Sequence, residues 1–284
     1  MRLNWLGSLL LSAAIAAFAP GIASAASSDA IVAGEAKVRL LASGLSDTKS
    51  APVFLGGVEV VLSPGWKTYW RYPGDAGIPP RFDWSGSENV AKVDVLFPAP
   101  ARIVDGSGQT SIGYEERVTF PLRILAKDAS KPILLKLKLD FATCEKLCIP
   151  AEAVLALPVS PADKSEPALA NAEQRVPEIQ DREKPRPLAL LSARIERGKD
   201  PGGKDSRIIV KALARTVGKL DLFAEGPDEE WTFALPELLS NDAGHVTFAI
   251  PLEGSRLGKA EVPPRLRLTL TAGEQAIEAQ LPLD

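Results

Sequence analysis

The chain has 284 residues, of which 45% are hydrophobic and 24% are charged, and its formal net charge is −3. This composition is typical of a globular protein and excludes a disordered or collagen-like chain. The near balance of charge also excludes a protein that holds nucleic acid through bulk positive charge, so we expect no nucleic-acid partner. Cys144, Cys148 and His245 are too few for an ordinary structural zinc site, and we expect neither a metal nor a cofactor.

Residues 1–25 have the pattern of a secretory signal peptide. Arg2 gives the positive start, Leu6 to Ala19 form an apolar run, and Ala23-Ser24-Ala25 is a small-residue cleavage site. An N-terminal membrane anchor is the alternative, but the run is short for a span. Since no later segment reaches the roughly 18 apolar residues of a membrane helix, we expect no membrane span in the mature chain. The predicted location is an oxidising space outside the cytoplasm, where a disulfide persists.

Residues 26–160 show the alternation of apolar and polar residues that is typical of β-strands. Turn sequences such as Ser63-Pro64-Gly65 and Asp105-Gly106-Ser107-Gly108 separate the strands at short intervals. Many short strands with this spacing predict a β-sandwich. The clearest alternating rows are Val58, Val60 and Leu62; Val118, Phe120, Leu122 and Ile124; and Leu135, Leu137, Leu139 and Phe141.

A charged, proline-rich segment at 161–187 is predicted to be a linker, with one short helical turn around Leu169 to Arg175. Alternation then returns over residues 188–284, which we expect to form a second, smaller β-sandwich. The fold class is therefore all-β with two sandwich domains. The alternating rows of the second region are Ile208, Val210 and Ala212; Val246, Phe248, Ile250 and Leu252; and Leu266, Leu268 and Leu270.

The chemistry of the chain is concentrated in Cys144-Glu-Lys-Leu-Cys148. Side chains alternate between the two faces of a strand, so Cys144 falls opposite to the apolar Leu135–Phe141 row. After the turn, Cys148 falls with Pro150 on the same non-core face. Both sulfurs are thus predicted to point outward from directly opposed hairpin positions, where a disulfide is geometrically accessible.

A Cys144–Cys148 disulfide closes a ring of only five residues. The loop-closure entropy that it removes from the unfolded chain stabilises the fold by about 2 kcal/mol, against about 4.7 kcal/mol for a 100-residue loop. A disulfide that points outward and joins the two ends of one turn adds little stability and is accessible to an attacking thiolate. This favours a redox pair over a structural disulfide in a non-catalytic adaptor. A Cu(I)-handling protein is a third hypothesis, since two thiolates suit Cu(I).

Three motifs and their order along the chain make this sequence resemble the periplasmic N-terminal domain of the thiol:disulfide interchange protein DsbD. The resemblance is closer to the ScsB relatives of DsbD. The resemblance covers about residues 36–160 and implies an immunoglobulin-like sandwich with a redox-active cysteine pair. It also suggests a tandem immunoglobulin-like arrangement for the second sandwich. The motifs are Gly65-Trp-Lys-Thr-Tyr-Trp-Arg-Tyr-Pro-Gly-Asp75, Gly113-Tyr-Glu-Glu-Arg-Val-Thr-Phe-Pro121 and Phe141-Ala-Thr-Cys-Glu-Lys-Leu-Cys-Ile-Pro150.

The resemblance assigns mixed-disulfide formation to Cys148, which precedes Ile149-Pro150, and resolution to Cys144. It makes residues 105–113 a loop that covers the site, with Tyr114 beside that loop and Ile112 as its only large apolar residue. Pro150 lacks an N–H and suits an open strand edge beside Cys148. Glu116 is a candidate for raising a thiol pKa through its negative charge. For the aromatic group Trp66, Tyr69, Trp70 and Tyr72, packing is favoured over partner docking.

The same resemblance implies a periplasmic location and a protein-disulfide reductase component, although the residues alone leave open whether the chain is an enzyme. The implied partners are periplasmic proteins with disulfides and an electron donor that is a thioredoxin-like or membrane-embedded thiol reductase. The family's transmembrane carrier and C-terminal thioredoxin-like domain do not occur in the sequence, so we expect the donor to be a separate protein.

Overall fold

A computed structural model describes residues 26–47, 52–74, 77–106, 108–164, 166–181, 183–184, 186–199, 205–258 and 263–284. The predicted signal peptide at 1–25 lies outside the described residues. The described chain consists of twenty strands and a single short helix, which confirms the all-β prediction.

The first twelve strands form two six-stranded sheets with antiparallel pairing. In the first sheet the order is β1-β3-β4-β10-β7, with β2 on β3, and in the second it is β12-β11-β5-β9-β8, with β6 on β11. The strands are β1 (Ala26–Ser27), β2 (Ile31–Ala33), β3 (Ala36–Asp47), β4 (Pro52–Leu62), β5 (Lys67–Tyr69), β6 (Arg81–Asp83), β7 (Val90–Val95), β8 (Ala101–Val104), β9 (Thr110–Glu115), β10 (Arg117–Ala126), β11 (Ile133–Cys144) and β12 (Cys148–Val159).

These two sheets, which we call the N-terminal sheet pair, enclose one apolar core. The alternating rows of β4, β10 and β11 point into that core, and their side chains are at most 6% exposed. Burying one face of each strand removes its apolar side chains from water, which is the main favourable contribution to folding. The predicted rows therefore identify the core faces of these three strands.

The rest of the described residues contain one helix and eight strands. They are α1 (Pro167–Gln174), β13 (Glu178–Ile179), β14 (Leu188–Glu196), β15 (Arg207–Ala214), β16 (Leu220–Glu225), β17 (Glu237–Asp242), β18 (His245–Pro251), β19 (Arg265–Ala272) and β20 (Gln275–Pro282). The strands form two four-stranded sheets, ordered β13-β20-β19-β16 and β14-β15-β18-β17, which we call the C-terminal sheet pair.

The C-terminal sheet pair closes a second apolar core. Its predicted rows are buried as expected except for Leu252, which is half-buried at the end of β18. Leu266, Leu268 and Leu270 of β19 are each 0% exposed. This alternation gives β19 a fully apolar inner face between its neighbours β16 and β20.

The predicted linker segment contains regular structure. Helix α1 lies where a helical turn was predicted, and it buries Leu169 and Ala172. A Cβ on Gly57 of β4 would lie 2.6 Å from Leu169 Cδ2, so the glycine lets the helix approach the N-terminal sheet pair. Strand β13 then pairs in parallel with β20. The segment is thus packed against both sheet pairs.

Candidate functional site

Cys144 and Cys148 end β11 and begin β12, joined by the three residues 145–147. They are direct partners in the antiparallel register, which runs without a shift along the whole hairpin. The two sulfurs form a disulfide. Both side chains lie on the outer face of the sheet, opposite to the Leu135–Phe141 row, as the alternation predicts.

The two cysteines differ sharply in exposure. Cys148 is exposed, whereas Cys144 is only 1% exposed. The prediction that both sulfurs are open to solvent is therefore wrong for Cys144. Position on the outer face does not expose Cys144, because Tyr69 packs over it and forms a small buried cluster with Cys144 and Ala142.

The Tyr69 hydroxyl contacts both sulfurs. It donates a hydrogen bond to Cys144 Sγ at 2.8 Å and lies 3.0 Å from Cys148 Sγ. Burial raises the pKa of Tyr69, a hydrogen bond with Ser111 opposes that rise, and the negative charge of Asp105 adds to it. The phenol therefore stays protonated at neutral pH and remains a hydrogen-bond donor.

Strand β5 sets the position of Tyr69. Lys67 of β5 is the direct partner of Cys144 on one side, and Tyr69 is the direct partner of Gly113 on the other. Gly77 packs against the ring of Tyr69, since a Cβ there would lie 2.5 Å from a ring carbon. The ring is thus enclosed by the sheet below and the segment after β5 above.

A buried positive charge accompanies the disulfide. Lys67 is 6% exposed, and as the direct partner of Cys144 it lies on the same outer face. Its Nζ is 4.0 Å from Asp105 Oδ2. Asp105 opens the loop between β8 and β9, so the start of the predicted covering loop does lie beside the cysteine pair. The loop is shorter than predicted, because β9 already begins at Thr110.

Two residues that the resemblance placed near the loop point elsewhere. Tyr114 is the direct partner of Thr68, one position along from Tyr69, and therefore faces the core. Its hydroxyl donates to the carbonyl of Pro98 at 2.8 Å, and its ring packs against Phe120. Ile112 is buried in the same core. The structure does not bring either side chain to the sulfurs, since strand alternation turns both to the other face.

The two remaining candidates lie on either side of the site. Glu116 occupies the turn between β9 and β10 with a φ of 57°, and its carbonyl accepts from the N–H of Leu62. Strand β5 lies between β9 and Cys144, so Glu116 follows a strand that is not a direct neighbour of the disulfide. Pro150 is exposed two residues after Cys148, on the same face.

Sequence reasoning missed Lys67 and treated Tyr69 only as a packing aromatic, without its contact with the sulfurs. Both belong to the Gly65–Asp75 motif, and their spacing of two puts them on one face of a strand. The alternation of side chains shows that Lys67 and Tyr69 share a face. It does not show that β5 pairs with β11, because this pairing joins positions more than 70 residues apart and has no local sequence signal. The aromatic group is also divided, because Trp70 is buried in the core.

The described residues contain neither a cluster of metal-binding side chains nor a membrane-spanning helix. No group of three or more His, Cys, Asp or Glu side chains is clustered there as a metal ion would require. In the same part of the chain, no helix has the length and apolarity needed to cross a membrane.

Comparison with known proteins tests the resemblance drawn from the three motifs. The family model described as "Thiol:disulfide interchange protein DsbD, N-terminal" matches residues 50–160. The N-terminal periplasmic domain of ScsB from Proteus mirabilis has the same fold, with a TM-score of 0.67, 19% identity, 92% of this chain covered and 99% of that chain. No curated protein is similar enough in sequence to count as a match. The resemblance drawn from the three motifs is confirmed: residues 50–160 of this chain match the N-terminal segment of the DsbD thiol:disulfide interchange family.

Proposed function

We propose that this chain is a periplasmic thiol–disulfide interchange protein that passes electrons through Cys144 and Cys148 to protein disulfides. The observation that carries the proposal is the arrangement of one exposed and one buried sulfur beneath a single tyrosine hydroxyl. Exchange needs a sulfur that a thiolate can reach, and it is faster when the leaving thiolate is stabilised, here by the Tyr69 hydroxyl. A bridge that merely tied the turn would need neither.

The oxidised pair would accept electrons at Cys148. A donor thiolate attacks the exposed Cys148 Sγ, the Cys144–Cys148 bond breaks, and its electron pair goes to Cys144. The Tyr69 hydroxyl then donates to the Cys144 thiolate, and the neighbouring Lys67 ammonium offsets its charge. The donor's second thiol attacks the mixed disulfide and leaves the pair reduced. A thioredoxin-like or membrane-embedded thiol reductase has the chemistry of such a donor.

The reduced pair would pass the electrons on by the reverse sequence. The Cys148 thiolate attacks a disulfide of a periplasmic protein and forms a mixed disulfide, releasing one thiolate of that protein. Cys144 then attacks Cys148 Sγ, which restores the intramolecular bridge and releases the second thiolate. Two electrons leave the chain, and the reaction requires no cofactor of its own.

The surface around Cys148 suits such a partner. Leu147 is 79% exposed and Ile149 is 41% exposed, so large apolar side chains flank the sulfur on the turn and on the start of β12. Exposed apolar side chains at one place mark contact surfaces for other proteins. We further propose residues 26–160 as an immunoglobulin-like redox domain, 161–187 as its linker and 188–284 as a second immunoglobulin-like domain, after a cleaved signal peptide at 1–25.

Trapping of mixed disulfides tests the polarity of the pair. The Cys144→Ser variant should accumulate disulfide-linked complexes on non-reducing gels, because its Cys148 bond to a partner cannot be resolved. The Cys148→Ser variant should not, since its remaining sulfur is buried. Both should lose turnover. Equal trapping by both variants would overturn the assignment of roles, and no trapping by either would favour an adaptor with a structural disulfide.

A further inference from the structure

The four consecutive residues Tyr69 to Tyr72 connect the disulfide to the C-terminal sheet pair. Tyr69 contacts both sulfurs, and the ring of the next residue, Trp70, packs edge-on against Phe223 of β16 at 5.7 Å between centroids. The Tyr72 hydroxyl accepts from the N–H of Phe233 at 2.7 Å. The segment that supplies the hydroxyl to the sulfurs is therefore anchored, beyond Tyr69, on the other sheet pair.

Arg71 is the strongest of these anchors. Its guanidinium forms two hydrogen bonds to the Glu225 carboxylate, Nη2 to Oε1 at 2.7 Å and Nε to Oε2 at 2.9 Å, and a further one to Glu278. It also lies 4.4 Å from the ring centroid of Trp70. Paired hydrogen bonds of this kind fix orientation as well as adding energy. The two carboxylates come from β16 and β20, neighbours of β19 in one sheet.

Arg71 keeps its positive charge. Burial alone would lower its pKa, but the hydrogen bonds and negative charges of Glu225 and Glu278 overcome that effect and hold the pKa above its ordinary value. Removing the carboxylate partners of a partly buried guanidinium costs free energy, so the segment strongly favours the position in which Arg71 keeps them. Strand β5 is only three residues long. Beyond it, backbone hydrogen bonds join Trp70 and Pro73 to Ile112 of β9, and the side chains of Arg71 and Tyr72 add contacts to the C-terminal sheet pair.

We propose that Arg71 is a positioning residue for thiol–disulfide exchange, which through its bonds to Glu225 and Glu278 holds the Tyr69 hydroxyl on the two sulfurs. The inference rests on the proposed function and goes beyond it by giving the C-terminal sheet pair a part in the chemistry. Arg71 contacts neither sulfur and acts only through Tyr69. Besides the sulfurs, the groups that act on the Tyr69 hydroxyl are Ser111 of β9 and Asp105 of the preceding loop, and both lie outside residues 69–72.

A double-mutant cycle with a small-molecule thiol tests the proposal. The rate constant for reduction of the disulfide by dithiothreitol is measured in the full chain for Tyr69→Phe, Arg71→Gln and the combined variant. Loss of a hydrogen bond to a developing thiolate should slow the Tyr69→Phe variant about tenfold. Arg71→Gln should be slowed by a similar factor, and the combined variant no further than Tyr69→Phe alone.

Arg102→Gln is the matched control. Arg102 also joins the two sheet pairs, through Asp221 at 2.8 Å and the carbonyl of Pro236 at 2.7 Å, but it lies on β8 and not on the tyrosine segment. It should leave the rate within about twofold of the parent, since its described hydrogen bonds and ion pair go to Leu222, Pro236 and Asp221 and not to residues 69–72. It approaches that segment through the ring of Phe223, 6.0 Å from its guanidinium, on which Trp70 also packs. An equal slowing by Arg102→Gln would show that any loosening between the sheet pairs slows reduction, and would overturn the proposal.

Two other results would also overturn it: an unchanged rate in Arg71→Gln, or effects of Tyr69→Phe and Arg71→Gln that multiply in the combined variant. Should Arg71→Gln fail to fold, the Glu225→Gln variant replaces it in the same cycle, because it weakens the same bond and keeps the arginine. The dithiothreitol rate does not involve a protein partner, so failure of the trapping experiment and failure of this cycle are distinguishable.

Discussion

The N-terminal and C-terminal sheet pairs bury apolar rows in the same way and differ in the polar groups that they bury. In the described C-terminal sheet pair, the buried polar residues are Thr269 and Thr271. The N-terminal sheet pair buries two charged residues, Glu59 and Lys67, along with Ser43, Thr68, Ser111 and Thr143. Burying a polar or charged group costs free energy unless it is paired. That cost is concentrated in one of the two pairs.

Much of this polar burial surrounds the disulfide. Lys67 and Thr68 belong to β5, which pairs with the end of β11 at Cys144, and Ser111 belongs to β9 on the other side of β5. Thr68 Oγ1 donates to the carbonyl of Ala142 at 2.9 Å. Ser43 and Glu59 are the exceptions, since both lie on the other sheet, where Glu59 pairs with Arg39 and Arg117. The two sheet pairs thus have similar apolar cores. The buried polar residues near Cys144 distinguish the N-terminal sheet pair, which carries the disulfide, from the C-terminal sheet pair, which binds the segment after Tyr69.

Truncation of the cores should have the largest effect and should be similar in both sheet pairs. Phe120 and Phe248 are each 1% exposed in their respective cores. Phe120→Ala and Phe248→Ala should each lower the free energy of unfolding by about 3–5 kcal/mol, because each leaves a cavity in addition to the lost burial. Urea unfolding followed by circular dichroism measures both. A loss below about 1 kcal/mol in one variant would mean that the two cores are not packed alike.

Removing the disulfide should have a smaller effect on stability. The bridge closes a hairpin turn that the β11–β12 register already holds, so replacing both cysteines with serine should cost about 2 kcal/mol or less. Thermal melts of the parent and the double variant give the difference. Loss of cooperative unfolding in the double variant would make the bridge structural and would remove the contrast between the two sheet pairs.

The sequence predicts the strands because alternation is a local property. The Leu135–Phe141 row, the outer-face position of both cysteines and the three-residue turn all follow from parity along one hairpin. The Leu266–Leu270 row does the same for β19. These elements are found without any knowledge of which strands pair over long distances.

The parts of the site that depend on distant pairing could not be predicted. The burial of Cys144 comes from Tyr69, which lies 75 residues earlier in the chain. The resemblance places Tyr114 beside the covering loop, whereas the direction of its side chain is set by its pairing with Thr68. Parity applied to the whole Gly65–Asp75 motif would have put Lys67 and Tyr69 on one face. It could not have shown that this face meets Cys144.

Two exposed leucines, one from each sheet pair, sharpen the functional side of the comparison. Leu147 is 79% exposed beside Cys148, and Leu239 is 46% exposed on β17. Leu147→Ser and Leu239→Ser should each change stability by no more than about 0.5 kcal/mol. Leu147→Ser should slow reduction of the disulfide by a thioredoxin, because it removes apolar contact at the sulfur, and Leu239→Ser should not. Stopped-flow tryptophan fluorescence measures the rates, and equal rates in the two variants would contradict a docking surface at the turn.

The smallest expected effect concerns acid stability at two similar turns. The Asp128 carboxylate accepts from the side chain and the N–H of Ser130 and pairs with Lys131. The hydrogen bond from the Ser130 hydroxyl is the main cause that lowers its pKa from 3.8 to about 2. Asp181 accepts from the N–H of Glu183 and pairs with Lys184. The Glu183 hydrogen bond is the main cause of its lowered pKa, and it has no hydroxyl donor like Ser130 among its bonds.

A carboxyl group whose pKa is lower in the folded chain than in the unfolded chain stabilises the fold above the unfolded pKa. That stability is lost as the pH falls through the folded value. The parent should therefore exceed Asp128→Asn in urea midpoint at pH 5, and the difference should shrink as the pH falls towards 2. The Asp181→Asn variant should show the same trend with a smaller difference at pH 5. Both turns are open to solvent, so the trend and its order are the measured quantities. A difference that stays constant from pH 5 to 2 would show that the hydrogen-bonding shape of the turn, and not the carboxylate charge, is what stabilises it.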